Sequence, residues 1–170
     1  IERLYDLKRR VGVVRHAVNI PVPHMALVHT FFLTENWVVF PIIPIDSDLQ
    51  RFMKGGPMTA WNNGRPTKLA IMPREGGAED VRWFEFDPRH MFHELNVWEE
   101  NGRIFADVAA ANGTALFPDQ DGNRLTHGDT QQSLRRWTID IASASMKEEV
   151  LNDRDIQFPR PDDRLMTRKT

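Results

Sequence analysis

Apolar and polar residues alternate in short runs along this chain, and Gly, Pro, Asn and Asp cluster between the runs, a pattern that predicts strands joined by turns and not packed helices. The expected strands cover residues 3–7, 12–20, 28–33, 37–41, 68–73, 81–86, 91–99, 103–109, 134–141 and 146–151. Glu100-Asn-Gly102 carries the strongest hairpin signal, because Asn-Gly readily takes the positive φ angles of a tight type I′ turn. One segment breaks the pattern. Asp46-Ser-Asp-Leu-Gln-Arg-Phe-Met-Lys-Gly55 predicts a single short helix within residues 47–54, with Asp46 or Ser47 as N-cap and Gly55 as the C-terminal stop. The stretch Phe117-Pro-Asp-Gln-Asp-Gly-Asn123 sets acidic and amide oxygens around a glycine. Without the closing Glu and the ligand spacing of a calcium loop, it reads as a surface turn.

Hairpins at this density build an all-β propeller or a sandwich. With blades of about 40 to 45 residues, the 170 residues correspond to roughly four blades, although no internal repeat fixes that period.

A hydrophobic content of 41% and a net charge of −2 describe an ordinary globular chain able to bury a core. The basic residues are scattered, with Lys8-Arg-Arg10 the densest cluster, so the electrostatic footprint of a nucleic-acid binder is missing. No run approaches the roughly 18 apolar residues of a transmembrane helix, and Ile1-Glu-Arg-Leu-Tyr-Asp6 has neither the charged nor the apolar region of a signal peptide. The absence of cysteine removes disulfides, thiolate metal sites and a cysteine nucleophile, and together these features set the expectation of a cytoplasmic protein. Any bound metal must be held by nitrogen and oxygen. The chain opens without Met inside a predicted strand and closes at Leu165-Met-Thr-Arg-Lys-Thr170 without a capping element, as expected of an excerpt from a longer protein.

Two histidines stand out. His29 lies in Ala26-Leu-Val-His-Thr-Phe-Phe-Leu-Thr-Glu-Asn36 and His93 in Met91-Phe-His-Glu-Leu-Asn-Val-Trp-Glu-Glu100, each within an apolar, strand-like stretch. Side chains alternate along a strand, so His29 shares a face with Phe31 and Leu33, and His93 with Met91, Leu95 and Val97; both are expected to point into apolar surroundings. On spacing alone the commoner outcome is a hydrogen-bonded core histidine. The alternative is an imidazole that ligates a divalent metal through one nitrogen while a carboxylate or carbonyl fixes the other. His16, His24, His90 and His127 are assigned to structure or surface, since His24 and His90 precede the two candidates by odd intervals and so face the other way.

The two segments resemble two signatures of the carotenoid cleavage oxygenase family, or retinal pigment epithelial membrane protein family, which includes the lignostilbene dioxygenases. These are a Met-(Val)-His-Asp-Phe-x-x-Thr-Glu-Asn element and a Phe-His-x-x-Asn-Ala-Trp/Tyr-Glu-Glu element. The resemblance continues in family order through Leu69-Ala-Ile-Met-Pro-Arg74, Val81-Arg-Trp-Phe84, Asn96, Glu99-Glu100 and Phe158-Pro-Arg160. It implies a seven-bladed β-propeller of which residues 1–170 form an internal portion of the single domain. It further implies a non-haem iron(II) held by four histidines, with His29 and His93 as two of them, converging from neighbouring blades, and the other two outside this chain. The implied activity is that of a dioxygenase, in which O2 cleaves the conjugated double bond of a small apolar or phenolic alkene into two carbonyl products. The present portion alone is expected to be inactive. The sequence around Trp61 and Trp98, with Phe117-Pro-Asp119, is more similar to the lignostilbene branch, which favours a stilbenoid or lignin-derived phenolic over a carotenoid or apocarotenoid.

Two departures qualify the resemblance. Thr30 follows His29 where the family usually has Asp, which removes a carboxylate beside the ligand. Gln157 stands where the family typically has a Glu that orients the ligand corresponding to His93, so the Gln157 amide oxygen is expected to accept from His93 Nδ1–H without adding negative charge. Losses of this kind typically cost about 10- to 100-fold in metal affinity or activity. Two alternatives follow: a metal-free β-propeller binding module whose histidines are core residues, and a degenerate family member that keeps the fold without iron.

Overall fold

A computed structural model describes residue 14 and residues 16–169. The first four-stranded antiparallel sheet has the order β1 (Phe32–Leu33), β2 (Trp37–Ile42), β5 (Thr67–Pro73) and β6 (Arg82–Phe86). The second is a meander of β7 (His90–Glu100), β8 (Arg103–Ala111), β9 (Ser133–Asp140) and β10 (Ser145–Asn152). A two-stranded ribbon, β3 (Ile45–Ser47) with β4 (Thr59–Trp61), is inserted between β2 and β5 and carries the short helix α1 (Leu49–Met53) at its tip. A second short helix, α2 (His127–Thr130), precedes β9. Among the described residues no helix is long and apolar enough to cross a membrane.

The all-β class therefore holds. Two four-stranded sheets and a ribbon occupy the described residues where chain length alone suggested roughly four blades. Strands of 11 and 9 residues in β7 and β8, together with the long connection over residues 112–132 between β8 and β9, consume chain that minimal hairpins would not. The strand expected over 28–33 is reduced to Phe32–Leu33. The one expected over 3–7 and part of that over 12–20 lie outside the described residues, and residues 16–20 form no strand.

Local signals act as their chemistry dictates. Asn101 (φ 52°) and Gly102 (φ 74°) both adopt the left-handed conformation of the β7–β8 turn. The helix α1 is capped by Asp48, whose carboxylate accepts from the backbone N–H of Gln50 and Arg51, and it ends before Gly55 at φ 88°. Asp46, expected as a cap, is instead buried and engaged by Arg51, Arg65 and Asn62, which leaves the cap to the next free carboxylate. The turn at Phe117–Asn123 closes on Asp119, which accepts from the backbone N–H of Asp121 and Asn123.

The two sheets stack face to face. Phe32, Val39, Leu69, Ile71 and Phe84 of the first sheet share one buried cluster with Met91, Val97, Ile104, Val108, Trp137 and Ile139 of the second. In this stack β1 packs on β7 and β6 on β10, so first strand meets first strand and last meets last, as in consecutive propeller blades. Fully burying an aliphatic or aromatic side chain contributes about 1.5–3 kcal/mol, which makes this shared core the main force holding the two strands that carry the histidines together.

Candidate metal centre

The histidine pair forms where the first strands of the two sheets meet. His29 lies just ahead of β1 and His93 on β7; their ring centroids are 5.3 Å apart and their planes are nearly perpendicular at 88°. The two rings are thus neighbours, brought together from adjacent sheets. Burial differs from expectation. The His29, Phe31 and Leu33 face is the exposed one, with Phe32 and Thr34 turned into the core. His93 is half-buried.

The reason lies in β7, whose alternation is broken. The pairing with β8 steps from Met91–Ala110 directly to His93–Ala109, leaving Phe92 without a register partner, and a second irregularity lies between Glu94 and Asn96. Such bulges re-aim side chains and recur beside functional sites. The Phe92 carbonyl accepts a hydrogen bond from His29 Nδ1 at 3.0 Å, and the Phe92 ring stacks on the His29 ring at 4.3 Å between centroids. Because a carbonyl only accepts, Nδ1 of His29 carries the proton and Nε2 keeps its lone pair.

The bulge also recruits a histidine that strand parity assigned elsewhere. His90 is only 3% exposed, packs against Phe92 at 4.4 Å between centroids, and joins His29 and His93 in the wall of one cavity of about 340 Å³. Burial, reinforced by the neighbouring His93 and His29, holds the pKa of His90 down to about 4, and burial followed by His29 lowers that of His93. A second cavity of about 560 Å³ shares His29, Phe92, His93 and Phe158 in its wall and adds Thr30, Glu94, Pro159 and Arg160.

Hydrogen bonds between the two motifs fix this geometry. Thr30 donates to Glu94 at 2.8 Å, Thr34 donates to Glu99 at 2.8 Å, and Asn36 donates to the other oxygen of Glu99. The Thr34-Glu-Asn36 segment after β1 and Glu99 on β7 thus clasp the two sheets close in sequence to His29 and on the strand that carries His93. Asn96 has a separate task, its side chain accepting from Thr167 N–H and donating to the Arg168 carbonyl.

Gln157 lines the smaller cavity with His93, but the expected hydrogen bond between them is not formed. Gln157 is exposed, and His93 Nδ1 is enclosed without a partner among the described residues. Residues 153–160 form no regular strand, so no ladder fixes the register that would turn the amide inward. Trp61 is buried against Ile43, Ile45 and Phe92, and Trp98 stacks on Phe105 beneath the Arg136 guanidinium, so both tryptophans are structural. His16 Nε2–H donates to the Gly76 carbonyl at 2.8 Å, and His24 and His127 lie outside both cavities.

The donor set suits a divalent metal in one respect: two imidazoles lie beside each other, one with its tautomer fixed so that Nε2 is free. Among the described residues no group of three or more His, Cys, Asp or Glu side chains gathers to complete a site. Gln132 and Thr130 also line the smaller cavity, and nothing in their sequence context marked them.

Fold and site together define an all-β protein of stacked four-stranded antiparallel sheets that brings two imidazoles to one cavity from adjacent first strands. The chain belongs to the Retinal pigment epithelial membrane protein family, whose profile matches residues 3–170. It is 30% identical over 97% of its length to isoeugenol monooxygenase of Pseudomonas putida, covering 35% of that protein. It is 33% identical over 93% of its length to carotenoid cleavage oxygenase 1 of Neurospora crassa, covering 31% of it. The crystal structure of Pseudomonas brassicacearum lignostilbene dioxygenase superposes on 94% of the chain with a TM-score of 0.83 and 36% identity, and the match covers 34% of that structure. The chain thus spans about a third of the length of these relatives.

Proposed function

We propose that this chain is part of an iron(II) oxygenase that cleaves a conjugated carbon–carbon double bond with O2, and that His29 and His93 are two of the iron ligands. The observation that carries the reading is the convergence of these imidazoles, 5.3 Å between centroids, with His29 Nδ1 tied to the Phe92 carbonyl. Bound there, iron(II) would supply the redox chemistry that directs O2 at an electron-rich alkene. The chain's own contribution is placement. The Phe92–His29 stack and the Phe92 carbonyl orient one ligand, the clasp through Thr30, Thr34 and Glu99 sets its position relative to the other, and Phe92, Phe158 and Pro159 offer apolar walls to a planar substrate.

A phenolic stilbenoid or lignin-derived alkene is the substrate class favoured over a carotenoid. Similarity to proteins named lignostilbene dioxygenase and isoeugenol monooxygenase supports this preference.

The test uses the full-length protein. Iron content, O2 uptake and carbonyl products are measured with a hydroxystilbene and with an apocarotenoid. His29→Ala and His93→Ala are each expected to lower iron affinity by at least about 100-fold, beyond the usual effect of losing an outer partner. Wild-type protein that retains iron no better than the double variant would sink the reading and leave the metal-free binding module.

A further inference from the structure

The smaller cavity holds more unmet hydrogen-bonding capacity than the rest of the site. Both ring nitrogens of His90, Nδ1 of His93 and Oε1 of Gln132 are buried without a partner among the described residues, and all three side chains face the same space of about 340 Å³. Buried polar groups are almost always hydrogen-bonded, to protein or to ordered water, since leaving one unmet forfeits its hydration without replacement. A polar cavity of this size accommodates water, and a water needs two to four polar partners.

We propose that Gln132 and His90 are positioning residues for His93, acting through bridging water in place of the carboxylate that Gln157 fails to supply; this rests on the reading of His93 as a ligand. The protons match. His93 Nδ1–H donates to a water, which donates to Gln132 Oε1, and His90, with one N–H and one lone pair, completes the water's bonding in either direction. The arrangement holds His93 in the Nδ1–H tautomer and leaves Nε2 for the metal, as the Phe92 carbonyl does for His29. Its consequence is an outer shell without net charge. Gln157 lines the same cavity, but its exposed side chain makes no hydrogen bond to His93.

The experiment is long-range ¹H–¹⁵N correlation on full-length, metal-free protein labelled with ¹⁵N-histidine at mildly alkaline pH, paired with Co²⁺ titration. Wild type is expected to show His93 as the Nδ1–H tautomer. Gln132→Leu and His90→Phe should each admit the Nε2–H tautomer at His93 and weaken Co²⁺ binding by about 10-fold, the lower end of outer-partner losses. Gln132→Glu should restore the tautomer, which a merely structural role for the side chain would not require. Circular dichroism identifies any variant that fails to fold, and each of the two substitutions then tests the proposal without the other. An unchanged His93 tautomer in folded Gln132→Leu and His90→Phe would overturn it, as would a loss produced by Gln157→Leu alone. Failure of wild type to bind Co²⁺ would count against the iron reading, while the metal-free tautomer still decides this one.

Discussion

Thr30 donates its hydroxyl to Glu94 at 2.8 Å, joining the residue that follows one candidate ligand to the residue that follows the other across the two sheets. The bond gives a physical reason for the absence of Asp at position 30. A carboxylate there would face Glu94, whereas a hydroxyl donates to it. Thr30→Asp is therefore expected to destabilise the full-length protein by about 1–3 kcal/mol, the common range for point substitutions with a defined mechanism. Glu94→Gln should relieve much of that loss. Urea unfolding of the two single variants and the double variant gives the interaction energy, and strict additivity would show that the two side chains do not meet in solution.

Glu99 receives both Thr34 and Asn36, so the clasp depends on one carboxylate. Hydrogen bonds to charged groups contribute about 1.5–3 kcal/mol, and Glu99→Ala should cost that order of stability, with Glu99→Gln milder. Thr34 is buried, so it would be left without its carboxylate partner inside the protein. Chemical denaturation measures the cost. Equal stability of Glu99→Ala and wild type would mean that the apolar interface alone holds the sheets.

The folded-state pKa of His90 is about 4, against 6.5 for an ordinary histidine. Between these values the unfolded chain binds a proton that the folded chain refuses, so stability is highest above pH 6.5, falls as pH drops toward about 4, and levels off below. The displacement corresponds to about 3 kcal/mol at most. His90→Phe should flatten this part of the stability curve of metal-free protein, measured by urea unfolding from pH 4 to 7 in steps of about half a unit. Parallel curves for the two proteins would assign the slope to other groups.

Gln157→Glu would put a carboxylate on the wall of the cavity that encloses His93 Nδ1. A charged acceptor strengthens the imidazole as a donor to a metal, so under the proposed iron(II) reading iron retention and alkene-cleavage rate in the full-length protein should both rise, by up to about 10-fold. Iron titration and O2 consumption provide the measurement. If neither changes, the side chain at 157 stays in solvent as Gln157 does, and its alignment with the family carboxylate carries no function.

The sequence by itself determined what depends on nearest neighbours along the chain. The Asn101-Gly102 turn, the stop of α1 at Gly55 and most of the long strands follow from backbone preference and a period of two, which operate within a few residues. The pairing of His29 with His93 was also legible, though through the resemblance of ordered motifs and not through periodicity. Other features were decided only in three dimensions. The ribbon β3–β4 has three residues on each strand, too few to show alternation, and it is organised by Asp46 binding Arg51, Arg65 and Asn62. The bulge at Phe92 depends on how β7 pairs with β8; by shifting the alternation it brings His90 into the cavity with His93 and frees the Phe92 carbonyl for His29. Gln132 and the partners Thr30–Glu94 and Thr34–Glu99 reach the site from distant parts of the chain. Strand periodicity states which residues share a face, but only the packing of one sheet on another decides which face is buried and which side chains meet there.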